Sequence, residues 1–307
     1  MIKVAVIGGG AWGTALALHA ARAGHQVTLW ARNAEWAAGR INPRLPNVPL
    51  PDTILVTSIL PASADAVLMA VPTQHVRAVL TGWCPPGPTV LCMKGIEAAT
   101  RLLPSELMAS LHPGVPACVL TGPNFAAEVA AGLPAAAVVA GPGRDDVIAL
   151  LATPGFRLYG NDDLVGAQLG GAAKNVMAIA AGVVMGRSLG ENARAALITR
   201  GVAELARLVV ALGGRAETVA GLSGLGDLLL TCTGGASRNY AWGLALGAGR
   251  VPGGSGVVEG VATAPALLTR AAGVELPICG AVAALLAGSV TVDDAIAALL
   301  ARPLRSE

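Results

Sequence analysis

Lys3-Val4-Ala5-Val6-Ile7-Gly8-Gly9-Gly10-Ala11-Trp12-Gly13-Thr14 is the stretch whose reading decides the fold. A short strand-like run leads straight into Gly8-x-Gly10-x-x-Gly13, and an apolar helix follows over Ala11–Ala23, closed by Gly24. A second strand-like run, Gln26–Trp30, comes next. The whole βαβ unit therefore takes about 30 residues, the context in which this glycine pattern carries meaning. Gly8 permits a tight turn, Gly10 lets the backbone approach a pyrophosphate, and Gly13 lets helix and strand pack closely. The helix N-terminus offers free N–H groups and partial positive charge to phosphates. A glycine-rich turn with no ligand is the plainer alternative, and the flanking strand and helix disfavour it.

Outward from this unit, Ala66–Ala70, Thr89–Met93, Ala117–Leu120 and Ala136–Ala140 also read as strands, several of them apolar on both faces. Strands alternating with helical stretches predict a doubly wound, mainly parallel sheet, a Rossmann-type dinucleotide-binding domain, over residues 1–164. Beyond that point strand-like runs become rare and long Ala/Leu/Gly segments take over. In Ala193–Leu212, Ile198, Val202, Leu205, Val209 and Leu212 recur at helical spacing, while Arg200, Glu204 and Arg207 mark a polar face. Residues 165–307 are therefore expected to form an all-α substrate or catalytic domain.

Composition narrows the partners. The chain has 307 residues, a net charge of +2 and no block of like charges, which argues against nucleic acid. Mean hydropathy is +0.63, so a membrane span has to be weighed. The best candidate, Leu276–Val292, is interrupted by Pro277, Gly280 and Gly288. The N-terminus begins a strand at once, with no charged leader. A cytoplasmic protein without stable membrane insertion is expected. Cys84, Cys92, Cys118, Cys232 and Cys279 form no CxxC pair and read as buried apolar residues of a reducing compartment. His19, His25, His75 and His112 lack ligand spacing, so no metal is expected.

Ligands of an open parallel sheet bind at the carboxyl ends of its strands. Those ends supply Gly8–Gly13, Arg32, Val71-Pro72-Thr73, Lys94-Gly95 and Gly122-Pro123-Asn124. Where an acid after the second strand would select NAD, this chain has Ala31-Arg32-Asn33. Arg32 could pair with a 2′-phosphate, so NADP(H) is favoured and NAD(H) stays open; an ordinary surface charge is the competing reading. In the second half, Lys174 lies in a helix of small apolar residues, where a lysine must be paired, titrated or snorkelling to the surface. Asp227 and Thr231 stand four apart on one helical face, though Asp227 could simply serve its own helix dipole. Ser237 reads as an N-cap, with Arg238 placed for a phosphate. Gly221-Leu222-Ser223-Gly224-Leu225 fails the GxSxG pattern of serine hydrolases.

Eight segments in this order carry a family resemblance: GGGAWGTALA, LMAVPTQ, MKGIE, LTGPNFAAEV, QLGGAAKNVMAIAAG, ENARAALITRG, GLSGLGDLLLTCTGGASRN and VVEG. They resemble the bacterial NAD(P)-dependent glycerol-3-phosphate dehydrogenases across nearly the whole chain. The resemblance implies reduction of dihydroxyacetone phosphate, supply of glycerol 3-phosphate for phospholipid synthesis, and a homodimer. It implies Lys174 as catalytic acid/base, with Lys94, Gly122, Asn124 and Asp227 at the substrate, and Ser237, Arg238 and Asn239 on its phosphate. Gly8, Gly10, Ala11, Trp12, Gly13, Arg32, Lys94, Ala126, Arg238, Val257 and Glu259 are implied at the cofactor. Asn124 stands where relatives often have Ser or Thr, and Trp12 replaces a Phe or Tyr. A related dehydrogenase of a hydroxy acid or sugar phosphate, or a non-catalytic NADPH-binding sensor, are the rival readings.

Overall fold

The computed structural model describes residues 1–253, 256–271 and 273–303, which divide into two compact units. One unit comprises Met1–Lys94 and Leu102–Gln168; the other comprises Gly95–Arg101 and the chain from Leu169 onward. The division falls a few residues beyond the expected 164/165 boundary and assigns Gly95–Arg101 to the second unit.

In the first unit eight strands form one sheet: β1 (Lys3–Ile7), β2 (Gln26–Trp30), β3 (Ile54–Thr57), β4 (Ala66–Met69), β5 (Thr89–Leu91), β6 (Ala117–Thr121), β7 (Ala135–Ala140) and β8 (Phe156–Asn161). Their order is β3-β2-β1-β4-β5-β6-β7-β8. All neighbours are parallel except β6 and β7. The chain reverses its direction of winding between β1 and β4, the point where such sheets bind ligands.

Helices α1 (Ala11–Arg22), α2 (Thr73–Thr81), α3 (Pro104–Leu111), α4 (Ala126–Ala131) and α5 (Arg144–Leu151) accompany the sheet. Val4 and Val6 pack into one core with residues of α1, α4 and α5. Ala5 and Ile7 pack into the other with α2 and α3. Strand apolar on both faces thus means strand covered on both faces. Polar ends of α1 fasten its neighbours. Arg22 donates to the Val129 and Ala130 carbonyls, His19 to Leu151 and His25 to Leu150, closing the ends of α4 and α5.

Strands β3 and β8 were not foreseen. Both lie at sheet edges; Leu55 is 61% exposed and Tyr159 45%, and Gly160 and Asn161 are poor strand formers. Cys84 is also a correction, since it is exposed while the other four cysteines are buried.

The second unit is helical: α6 (Leu164–Gly186, entering it at Leu169), α7 (Gly190–Ala211), α8 (Ala216–Val219), α9 (Asp227–Thr233), α10 (Arg238–Gly247), α11 (Glu259–Arg270), α12 (Pro277–Leu286) and α13 (Val292–Leu300). Helix α6 is buried on every side from Gly166 to Val184. Among the described residues it, rather than Leu276–Val292, is long and apolar enough to cross a bilayer, yet 89% of its apolar window is buried in the protein.

Glycines set how closely its neighbours approach. A Cβ on Gly182 or Gly186 would strike the Tyr240 or Leu244 carbonyl, and one on Gly243 or Gly247 would strike the Ile179 or Val183 carbonyl. Helices α6 and α10 are therefore in backbone contact along two turns. Gly170 meets the Ser223 carbonyl in the same way, bringing the π-turn Leu222–Gly226 and the start of α9 onto α6.

Glu204 departs from the expected polar face of α7. It is 1% exposed, and its carboxylate accepts from the Ile278 and Cys279 backbone N–H groups at 2.9 and 2.8 Å. It thereby caps α12, whose own first turn has no acid. Burial raises the Glu204 carboxyl above its usual 4.5, against the opposing pull of those N–H groups, the Cys279 thiol and Arg207. The folded chain then holds this proton more tightly than the unfolded chain. The resulting stabilisation is full below about pH 4.5 and is lost as pH rises through the raised value. Urea midpoints of Glu204→Gln, which cannot titrate, should therefore gain on wild type as pH rises from 4.5. A gap that stays flat or widens in wild type's favour would contradict this.

Candidate active site

In the first unit the glycine loop turns at the end of β1. Gly8 has φ +127°, and a Cβ there would lie 2.8 Å from the backbone of Ala70 and Val71, at the end of β4. A Cβ on Gly13 would strike the Gly8 carbonyl, whereas one on Gly10 would meet nothing within 4 Å. Gly8 and Gly13 are thus required by packing, and Gly10 faces open space. Helix α1 begins there with Gly10 as N-cap, no side chain on its free N–H groups and no acid in its first turn. A pyrophosphate fits such a start, since bare N–H groups and the dipole favour an anion.

The other strand ends of this unit carry more of the expected residues. Trp12 donates its indole N–H to the Cys92 carbonyl at 3.1 Å, pinning the ring beside the end of β5. Lys94, two residues on, donates from Nζ to the Gly122 carbonyl at 2.7 Å. Gly122 has φ +137°, a backbone conformation that favours glycine, and a Cβ there would crowd Ala137 at 3.1 Å. Asn124 donates from Nδ2 to the Ala136 carbonyl at 3.3 Å, which leaves its buried Oδ1 without a partner. Ala126 opens α4. Arg32, just past β2, is exposed and forms no ion pair among the described residues.

In the second unit Lys174 is buried, and its Nζ donates to Asp227 Oδ1 and Thr231 Oγ1, each at 2.9 Å. Asp227 is 1% exposed. Two charges removed from water need each other, and the close seat of α9 on α6 supplies the contact. Cys232, beside Thr231, is held inert by burial, which pushes its thiol up to about 12.

Beside this pair lies a chain of amides. Asn239 donates from Nδ2 to Asn175 Oδ1 at 2.9 Å, and its Oδ1 accepts from the Gly260 N–H at 2.9 Å. A Cβ on Gly260 would lie 2.7 Å from the Asn175 carbonyl, so glycine is required where α11 begins. That start carries Glu259, with Val257 two residues before it. Ser237 is the N-cap of α10, its Oγ accepting from the Tyr240 N–H at 3.2 Å. Arg238 follows, exposed, with no acid in the first turn of α10.

Each unit therefore gathers its own share of the expected residues. Two residues with no role in the sequence reading hold the expected ones here: Thr231, four from Asp227 on one helical face, and Asn175, next to Lys174. The Asp-x-x-x-Thr spacing was a usable signal for the first; nothing local marked the second.

Comparison with known proteins places the whole chain in one family. The profile of the NAD-dependent glycerol-3-phosphate dehydrogenase N-terminus matches residues 3–146, and that of the C-terminus matches residues 163–297. A glycerol-3-phosphate dehydrogenase [NAD(P)+] of Acidiphilium cryptum (strain JF-5) is 56% identical, covering 99% of this chain and 98% of its own. One from Bradyrhizobium sp. (strain ORS 278) is 52% identical with the same coverage. The crystal structure of glycerol-3-phosphate dehydrogenase from Coxiella burnetii superposes with a TM-score of 0.91 at 38% identity, covering 98% of this chain and 99% of that one.

The buried pair yields a stability test. Asp227→Ala leaves the Lys174 ammonium without its carboxylate and should cost about 3–5 kcal/mol in urea denaturation. Lys174→Met combined with Asp227→Leu should recover most of that loss. A single variant as stable as wild type would show that the pair does not bear this charge.

Proposed function

The chain belongs to the NAD-dependent glycerol-3-phosphate dehydrogenase family, and from that premise we propose that it reduces dihydroxyacetone phosphate reversibly to sn-glycerol 3-phosphate. The observation that carries this reading is Lys174, buried in a helix with no other charged residue and held by Asp227 and Thr231. A binding module gains nothing from such a group, whereas a carbonyl becoming an alcohol needs a proton.

A bound nicotinamide supplies hydride to C2 of the ketone. Lys174 delivers its proton to the C2 oxygen as negative charge develops there, and Asp227 and Thr231 keep the Nζ on line. Lys94, Gly122 and Asn124 bind the substrate, and Lys94 adds positive charge that favours the developing alkoxide. The start of α10 takes the phosphate, with Ser237 fixing the turn, Arg238 supplying charge and Asn239 bracing it. Gly8, Gly10, Ala11, Trp12, Gly13, Ala126, Val257 and Glu259 serve the dinucleotide. Arg32 favours NADP(H) over NAD(H), because its guanidinium is exposed beyond β2 where an acid would repel a 2′-phosphate. The family resemblance further carries a cytoplasmic enzyme, a homodimer and supply of glycerol 3-phosphate for phospholipid synthesis.

Oxidation of NADPH at 340 nm should be rapid with dihydroxyacetone phosphate and slow with dihydroxyacetone. In Lys174→Ala, kcat should fall by about 100-fold or more, with cofactor affinity nearly kept. Comparable turnover in that variant would remove Lys174 from the chemistry. Arg32→Ala should weaken NADPH about tenfold and NADH little, on the scale of one charge-assisted contact. Equal loss for both dinucleotides would assign Arg32 elsewhere.

A further inference from the structure

Asn42 has no place in the sequence reading, yet it is 1% exposed and uses its whole amide on the glycine loop and its own turn. Its Nδ2 donates to the Gly9 carbonyl at 3.0 Å and to Thr14 Oγ1 at 2.6 Å. Its Oδ1 accepts from the Arg44 N–H at 2.9 Å. The orientation of the amide is fixed by chemistry, because a carbonyl can only accept and a backbone N–H can only donate.

The two Nδ2 bonds straddle the segment that begins α1. One holds the residue before the N-cap Gly10; the other holds the first full turn, where Thr14 is fully buried. The peptide between Gly9 and Gly10 joins two residues without Cβ, so little steric resistance opposes its rotation as a unit. In a planar trans peptide the carbonyl and the next N–H point opposite ways. Holding the Gly9 carbonyl toward Asn42 therefore aims the Gly10 N–H away from it. A flipped peptide would offer an arriving pyrophosphate a carbonyl oxygen in place of a donor.

The loop that presents Asn42 is itself anchored. Arg40 reaches from one side of it to the carbonyls of Leu50, Pro51 and Ile54, and the Leu50 N–H donates back to the Arg40 carbonyl. An asparagine on a fixed loop can dictate the conformation of a pliant glycine pair.

We propose that Asn42 is a positioning residue for the dinucleotide, locking the Gly9–Gly10 peptide so that the start of α1 meets the pyrophosphate with N–H groups. The proposal rests on the reading of that loop as a dinucleotide cradle. Because the pyrophosphate is common to both cofactors, the effect is the same for NADH and NADPH, unlike that of Arg32.

Equilibrium titration of NADH and NADPH fluorescence on the full chain tests it without turnover. Asn42→Asp keeps the shape and the Arg44 contact but places a carboxylate oxygen against the Gly9 carbonyl. Both dissociation constants should rise about tenfold and by the same factor. In steady-state assays the loss should appear in KM for the dinucleotide rather than in kcat. Thr14→Val removes the second anchor and leaves the loop of Asn42 intact, so it should move both constants the same way even if Asn42→Asp folds poorly. Thr14→Ser restores the acceptor oxygen and should restore binding. Unmoved constants in folded variants, or a rise confined to NADPH, would overturn the role of Asn42 alone. Wild-type protein that binds neither dinucleotide would overturn the cradle reading beneath it.

Discussion

A lysine on a helix with no exposed face leaves the surrounding structure little choice. Lys174 needs an anion beside it, and α6 offers none within reach along its own sequence. The carboxylate must come from another helix approaching closely enough for a direct contact. Gly170 against the Ser223 carbonyl provides that approach, and the π-turn Leu222–Gly226 feeds Asp227 and Thr231 onto the same side of α9. Further along α6, the glycines facing α10 bring Asn239 to Asn175. The absence of side chains at five helical positions, Gly170, Gly182, Gly186, Gly243 and Gly247, thus places the polar ones.

The first unit solves a different problem with the same residue type. Its glycine loop leaves the backbone donors at the start of α1 bare instead of letting helices touch, and freedom of that kind has to be restrained again. Trp12, Lys94 and Asn42 all spend side-chain donors on backbone carbonyls: Cys92, Gly122 and Gly9. For Trp12 and Lys94 the carbonyl beyond a strand end holds the side chain, whereas Asn42 on its anchored loop holds the carbonyl of a pliant glycine pair.

How much of this was legible from sequence depends on whether the constraint was local. The central strands β1, β4, β5, β6 and β7 announced themselves because burial on both faces demands nearly unbroken apolar runs, and β2 did so by Val27 and Leu29 alternating with Gln26 and Thr28. The edge strands β3 and β8 did not, since their outer residues face water and carry little pattern. Lys174 was legible because a charge in an apolar helix violates a local rule. Ser237 was legible because N-caps have a short vocabulary, and it is one. Glu204 was misread, since helical spacing shows which face a residue shares but not that the face meets the bare end of another helix. Asn42 was invisible for the same reason. Its partners lie 33 and 28 residues away, and an asparagine in a loop breaks no rule.

Helix starts in this chain divide into those that carry a carboxyl group and those that do not. Helices α3, α4, α5, α7, α8, α9, α11 and α13 each carry an acid in the first turn, the ordinary answer to a helix dipole. Helix α6 has none there, but Asp163 just before it accepts from the Gly166 N–H; α12 has none and receives Glu204 from α7. Helix α2, opening past the end of β4, is also without one. Helices α1 and α10 have no acid in the first turn and no carboxylate on their starts among the described residues. These are the two starts that carry Gly10 and Arg238. Most helix starts thus receive a carboxyl group from the chain itself, even at the cost of burying Glu204. On the proposed function α1 and α10 each take a phosphate, which a carboxylate there would repel, so the electrostatics that stabilises the other helices accounts for these two being bare.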